Sequence, residues 1–201
     1  MQISYRSEIE RKLLHLSSLW IAAFLYFFPY WPSVILFGSL VIIGIAFEYG
    51  YHKRWPFFFP VYKAFFGHIL RSAERSAKFS LSGGVYVFVA AFISAVFFTK
   101  EVGAIAMSVM LISDTFAGLV GRKFGTHKIV QNKSLEGTVA FVVSGILVVI
   151  GLCFVFQADI AMYIKGCTGI FFAALAELYE RKIKIDDNLT IVLIIGILMS
   201  F

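Results

Sequence analysis

One carboxylate, Asp114, stands inside an apolar run that is long enough to cross a bilayer. Because a charged side chain in a bilayer-spanning helix is costly, its presence there favours a functional use. On a helix, one face would carry this carboxylate together with small residues at Ala117, Gly118, Gly121 and Gly125. Such a face either packs closely against another helix or lets the backbone approach a ligand, and the spacing leaves both readings open.

The segment that follows this face adds cations and further oxygen donors, at Lys128, Lys133, Ser134 and Glu136. Phosphoryl and nucleotidyl transfer depend largely on positioning and on charge neutralisation by magnesium and basic side chains. Magnesium takes oxygen ligands, often one or two carboxylates together with substrate phosphates. Residues 113–137 therefore predict a metal–nucleotide site, although not a P-loop, because the Gly-Lys-Ser/Thr signature is absent from the sequence.

Other ionisable groups stand at the ends of apolar runs, at Arg11, Lys12, His15, Glu48 and Glu177. We expect them to converge with Asp114 on one cavity at a single membrane face. His15 follows Arg11 by one helical turn and could orient phosphate or take a proton, or could be structural. Glu48 and Glu177 could equally be interfacial residues without a catalytic role.

Three adjacent oxygen donors, Asp186, Asp187 and Asn188, precede the last apolar run. They could bind a metal or orient a ribose. An equally acceptable interpretation is a solvated loop in which Asp187 or Asn188 caps the following helix.

The composition is that of a helical membrane protein. Hydrophobic residues make up 60% of the chain and charged residues 15%, whereas a soluble domain carries about 25% charged residues. Apolar runs that cross or nearly cross a bilayer of about 30 Å lie at residues 13–28, 32–49, 83–98, 102–121, 137–156, 159–177 and 189–201. The predicted fold class is all-α, a polytopic transmembrane helical bundle of about seven spans in a single integral-membrane domain, residues 1–201.

The basic residues predict the orientation of this bundle. When successive runs are assigned to alternate sides, nearly all of the 18 lysines and arginines fall on one side. Positively charged loops stay in the cytoplasm, so the N-terminus is predicted to be cytoplasmic, with cytoplasmic loops at 50–82, 122–136 and 178–188. This basic face can attract anionic headgroups and a nucleotide, whereas nucleic acid is not an expected partner.

Taken together, these residues resemble the CTP-binding region of the membrane lipid kinases that include dolichol kinase, phytol kinase and CTP-dependent diacylglycerol kinase. The resemblance is carried by a pattern of Asp114, Ala117, Gly121, Gly125, Lys133, Ser134, Glu136 and Gly137. The N-terminal Arg11, Lys12 and His15 and the late Asp186, Asp187 and Asn188 agree with it. A middle segment, with Arg71, Glu74 and Arg75 and the later Ser82–Tyr86, is family-like but less specific.

The resemblance implies a CTP-dependent kinase that phosphorylates a lipid alcohol in an inner or other intracellular membrane, with Mg²⁺ as cofactor. Catalytic roles are then expected for Asp114, Glu136, Glu177, Asp187 and His15. Magnesium ligands are expected among Asp114, Glu136, Asp186 and Asp187. Nucleotide contacts are expected from Arg11, Lys12, Ala117, Gly121, Gly125, Lys128, Lys133, Ser134, Gly137 and Asn188. Polyprenol, dolichol, phytol and diacylglycerol all present a hydroxyl at the headgroup plane, so the acceptor stays open.

Two alternatives come from other classes. Phosphatidate cytidylyltransferases share a similar segment, but the late His-Gly-Gly followed by Asp-Arg-x-Asp that this branch carries is absent from the sequence. A non-enzymatic transporter or scaffold would place acidic residues along a path through the bilayer. The acidic residues here gather instead toward one predicted face.

Overall fold

The computed structural model of the chain describes residues 5–66, 79, 81–130, 133–183 and 185–201. The middle segment with Arg71, Glu74 and Arg75 lies outside the described residues. The described elements follow one another along the chain as α1 (Tyr5–Ser17), α2 (Trp20–Phe27), α3 (Tyr30–His52), α4 (Phe58–Phe66), α5 (Gly83–Phe97), α6 (Lys100–Lys123), β1 (Lys128–Val130), β2 (Lys133–Ser134), α7 (Leu135–Val155), α8 (Ile160–Leu178), α9 (Glu180–Ile183) and α10 (Asp187–Ser200).

The helices follow the apolar runs, so the all-α, membrane-type fold is confirmed. Four helices, α3, α6, α7 and α8, are long and apolar enough to cross a membrane, while α5 and α10 are shorter apolar helices. The first predicted run, residues 13–28, is divided between α1 and α2. A count of seven spans therefore stays a prediction.

Polar side chains fix where several helices begin. The Thr99 hydroxyl accepts a hydrogen bond from the backbone of Val102 at the start of α6, and Asp159 accepts one from Met162 at the start of α8. Ser134 and Asp186 do the same for α7 and α10. Each cap satisfies a backbone N–H that the first helical turn leaves without a partner.

Helix α6 lies at the centre of the bundle. Its side chains at Ile105, Met107 and Met110 are fully buried. They belong to one apolar core with Phe37 of α3 and Phe141 of α7. Because α6 is surrounded by other helices, its polar residues near the C-terminal end must find partners inside the protein.

The segment that leads from α6 to α7 was predicted as a loop and contains a short hairpin. Strands β1 and β2 pair antiparallel, and the Leu135 amide donates to the His127 carbonyl. The hairpin turns the chain back so that α7 packs along α6.

Glycines on both sides of the contact, Gly121 and Gly125 of the Asp114 face and Gly137 of α7, make this packing of α6 and α7 possible. A Cβ on Gly137 would lie 2.9 Å from the Ala117 carbonyl oxygen, and one on Gly121 would lie 3.1 Å from the Ser134 hydroxyl. A Cβ on Gly125 would overlap Ser134. In this structure, therefore, the small residues bring two helix backbones together, which is one of the two roles that the spacing allowed.

Substitution of Gly137 by alanine tests this close approach. We expect G137A to lower the free energy of unfolding by about 1–3 kcal/mol, because the added methyl group has no room beside Ala117. Gly151 is the matched control on the same helix, since a Cβ there meets no atom within 4 Å. G151A should be neutral or stabilise by about 0.5–1 kcal/mol. Thermal unfolding in detergent measures both, and equal midpoints for the two variants would contradict the packing argument.

Candidate active site

A buried ion pair between Lys12 of α1 and Asp114 of α6 forms the centre of the candidate site. The Lys12 ammonium lies 2.5 Å from Asp114 Oδ2 and donates a second hydrogen bond, of 2.9 Å, to the Asp114 carbonyl oxygen. Lys12 is 2% exposed and Asp114 5% exposed. Gly118 leaves space for the lysine, because a Cβ there would lie 2.7 Å from Lys12 Cε. The pair fastens the N-terminal helix to the central helix.

His15 lies beside the same carboxylate. Its Nε2 is 3.3 Å from Asp114 Oδ2, without hydrogen-bond geometry, and this buried nitrogen has no hydrogen-bond partner among the residues that the structure describes. Buried polar atoms are normally hydrogen-bonded. His15 therefore has the capacity to meet a further group at this place.

A second set of charges, in which only Arg11 was predicted to belong to the site, secures α1 against the end of α6. Glu8 is buried and accepts hydrogen bonds from Arg11 at 2.5 Å and from Arg122 at 3.2 Å. The i, i+3 spacing of Glu8 and Arg11 was visible in the sequence as a helical pair. Arg122 could not be foreseen as a partner, because it is more than a hundred positions away along the chain.

The hairpin contributes the next cation, Lys133. Its ammonium is hydrogen-bonded to Glu177 of α8 and lies 3.6 Å from Glu180. Burial acts to lower the pKa of Lys133, but Glu177, Asp187 and Glu180 outweigh it and hold the pKa above the ordinary value. The stabilisation that the charged Lys133 gains from these carboxylates is complete below the ordinary lysine pKa. It is lost only as the pH rises through the higher pKa of the folded state.

The three oxygen donors at the start of α10 are ordered and mostly buried. Asp186 caps the helix by accepting from the Asn188 backbone at 3.1 Å and from the Asn188 side-chain amide at 2.7 Å. Asp187 is 5% exposed and lies close enough to His15 and Lys133 to interact electrostatically with both. Asp187 thus connects the Lys12–Asp114 pair with the Lys133–Glu177 pair.

Glu136 makes a different set of contacts. One of its carboxylate oxygens accepts from the Thr126 hydroxyl at 2.7 Å and from the backbone amides of Thr126 and His127 at 3.2 Å. Within the described residues, its hydrogen bonds all go to this loop, and its partly exposed carboxylate holds the turn before β1. Lys128 is exposed on β1. Catalytic or ligand-binding roles for these two residues stay predictions.

The buried carboxylate of Glu48 ties a further group of elements to this end of the bundle. It accepts hydrogen bonds from the Tyr62 hydroxyl of α4 at 3.0 Å, from the Ser82 backbone at 2.9 Å and from the Ser82 hydroxyl. Ser82 immediately precedes α5, whose first residue, Gly83, lies against Asn188. Glu48 is therefore a buried hydrogen-bond acceptor, and its position relative to the membrane interface stays a prediction.

The carboxylates offer oxygen ligands, but not a complete metal cage. Among the described residues, no group of three or more histidine, cysteine or acidic side chains is arranged to hold a metal ion. Magnesium does not need one, because it usually combines one or two carboxylates with substrate phosphates and water. Asp114, whose Oδ2 lies 3.3 Å from His15 Nε2, offers one such carboxylate, and the buried Asp187 is a second candidate.

Comparison with known proteins identifies relatives over most of the chain. An uncharacterised protein of Rickettsia prowazekii is 28% identical over 92% of this chain and 89% of its own length. The CTP-dependent diacylglycerol kinase 1 of Schizosaccharomyces pombe is 34% identical over 72% of this chain and 66% of its own length. A probable chloroplastic phytol kinase 1 of Glycine max is 32% identical over 55% of this chain and 40% of its own length.

The similar kinases are longer proteins than this chain. The chain spans between 40% and 66% of the length of the matching diacylglycerol and phytol kinases. No family model matches the chain, and no solved structure matches it significantly. The similarity therefore rests on the sequences of these relatives.

A double-mutant cycle tests whether Lys12 and Asp114 form a buried pair. We expect K12M and D114N each to cost about 3–5 kcal/mol of stability, because each leaves a buried charge without its partner. The double variant should cost at least about 2 kcal/mol less than the sum of the two. Thermal unfolding in detergent measures the cycle, with K123M, at an exposed position on the same helix, as the control. Additive losses would mean that the two charges do not interact.

Proposed function

We propose that this chain, which belongs to the family of CTP-dependent lipid kinases, transfers the γ-phosphate of CTP to the hydroxyl group of a membrane lipid alcohol. The observation that carries the proposal is the cluster of buried charges around Lys12 and Asp114 at one end of an apolar helical bundle. Charges inside an apolar protein are costly, and such groups mark functional sites. At the end of membrane-spanning helices, they can meet a nucleotide from water and a hydroxyl at the headgroup plane.

The acidic residues divide between two tasks in this proposal. Asp114 and Asp187 would hold Mg²⁺, because this ion prefers carboxylate and phosphate oxygens as ligands. When bound, Mg²⁺ supplies neutralisation of the charge on the phosphates. Glu177 keeps Lys133 in position, since the two side chains are hydrogen-bonded.

The basic residues bind the phosphates. Lys133 stays charged because its pKa is raised, and Arg11 and Lys12 lie on the helix that packs against Asp114. Lys12 contacts both the carboxylate and the backbone of Asp114, the proposed metal ligand. Nucleotide binding at Asp114 is therefore coupled to the position of α1. Lysine and arginine are the side chains that neutralise a transferring phosphoryl group.

The transfer itself requires little covalent chemistry from the protein. The oxygen of the lipid hydroxyl forms a bond to the γ-phosphorus, and the bond from that phosphorus to the β,γ-bridging oxygen breaks. CDP leaves with the electron pair, and the hydroxyl proton passes to water. A weak base suffices, because the transition state is largely dissociative.

We place this reaction at the cytoplasmic face, in a single integral-membrane domain. The clustering of basic residues in alternate loops supports that orientation. The acceptor is diacylglycerol or an isoprenoid alcohol of the phytol type, because relatives with both names align with the chain. Either lipid presents its hydroxyl at headgroup depth with its chains among the apolar helices.

Incubation of the purified protein with labelled CTP, Mg²⁺ and a panel of lipid alcohols tests the reaction. We expect the label to enter lipid from the γ-position of CTP and not from the α-position, because a kinase transfers only the terminal phosphoryl group. Incorporation of the α-phosphate into phosphatidate would identify a cytidylyltransferase instead. No transfer to any lipid in the panel would contradict both enzymes.

Replacement of the central carboxylate tests its role in the reaction. D114N should lower kcat by at least about a hundredfold, because neutralisation of the triphosphate contributes several kcal/mol. Glu101 is the matched control, since it is a carboxylate in the first turn of the same helix, at the end away from Asp114. E101Q should transfer phosphate at the wild-type rate. Full activity of a folded D114N variant would remove Asp114 from the proposal.

A further inference from the structure

The side chain of Asn188 contains an acceptor that the protein itself leaves unused. The residue is 3% exposed, yet its Oδ1 atom has no hydrogen-bond partner among the described residues. A buried amide oxygen without a partner destabilises the fold, and such atoms are uncommon in folded proteins. The orphaned oxygen therefore points to a donor that arrives with a ligand.

The orientation of this amide is determined by its neighbours. The Asn188 Nδ2 group donates to Asp186 Oδ1 at 2.7 Å and lies 3.5 Å from the Gly83 carbonyl oxygen. A carboxylate and a carbonyl only accept hydrogen bonds, so the NH₂ group must face them and Oδ1 must face the other way. The oxygen is thus held in place before any ligand binds.

Asn188 lies between two groups of contacts, one through Asp187 and the other through Gly83. On one side is Asp187, which interacts electrostatically with Lys133 and His15. On the other side is Gly83, preceded by Ser82, which Glu48 connects to helix α4. The segment that enters α4 exposes large aromatic side chains, with Trp55 46% and Phe57 63% exposed. Exposed aromatic rings of this kind are typical of the membrane interface.

We infer that Asn188 Oδ1 accepts a hydrogen bond from the hydroxyl of the acceptor lipid and so positions that hydroxyl beside Asp187. This inference rests on the proposed function and gives Asn188 a different role from the nucleotide contact that the sequence predicted. A ribose hydroxyl or the cytosine amino group could supply the same donor. The location beside Gly83 favours the lipid, because the contacts of Ser82, Glu48 and Tyr62 connect this place with α4 and with the exposed aromatic residues that precede α4.

Kinetics of N188A and G83A separate the lipid from the nucleotide. N188A removes the acceptor, and a Cβ on Gly83 would lie 3.2 Å from Asn188 Nδ2 and displace the amide. Each variant should raise the KM for the lipid alcohol, about tenfold for N188A and less for G83A, with the KM for CTP unchanged. T190V is the control, because the Thr190 hydroxyl bonds only the Asp186 carbonyl among the described residues. An increase confined to the KM for CTP would overturn the inference.

A binding measurement makes the test independent of turnover. Dioctanoylglycerol, phytol and the methyl ether of each are compared by the increase in thermal unfolding temperature that each causes in detergent. Because the ethers cannot donate a hydrogen bond, the wild-type protein should bind one alcohol about tenfold more tightly than its ether, and N188A should bind both equally. A preference that N188A retains, or no preference in the wild type, would overturn the inference. If the wild-type protein prefers the alcohol to its ether and N188A does not, but no phosphate is transferred, the proposed function is contradicted and the role of Asn188 in binding the alcohol is not.

Discussion

A charge pair inside the apolar bundle, Lys12 with Asp114, is the constraint on which the other features of the site depend. Its burial is compensated only if α1 lies against the last turns of α6, and Gly118 leaves space for the lysine there. That docking brings His15 beside the same carboxylate and lets Glu8 meet Arg122. An N-terminal helix that could have been a surface element thus becomes one wall of the site.

The small residues after Asp114 show why packing and function are not competing explanations. Gly121, Gly125 and Gly137 let α6 and α7 approach closely, and Ser134 lies in the space between them. The same approach sets where the hairpin leaves α6 and therefore where Lys133 meets Glu177. Close packing of two backbones and placement of the Lys133 ammonium beside Glu177 are consequences of one arrangement.

The helices could be predicted from the sequence because a bilayer requires long apolar runs with polar ends, and α3, α6, α7 and α8 follow those runs. The importance of Asp114 could also be predicted, since ionisable groups inside a span are rare, and Lys133 was selected for the cations and oxygen donors that follow Asp114 in the sequence. Their partners could not be predicted, because an ion pair between residues 12 and 114 depends on helix packing that no spacing encodes. Glu48 illustrates the same limit, as its hydrogen bonds to Tyr62 and Ser82 join three separate elements.

The two shorter apolar helices have a consequence for the surrounding lipid. Helix α5 has 15 residues and α10 has 14, which corresponds to lengths of about 22 and 21 Å. The hydrocarbon core of a bilayer is about 30 Å thick, so a bilayer crossed by these helices would become thinner beside them. The two helices begin at Gly83 and Asp187, and a thinner membrane there would bring the lipid headgroups and the water above them closer to this end of the bundle.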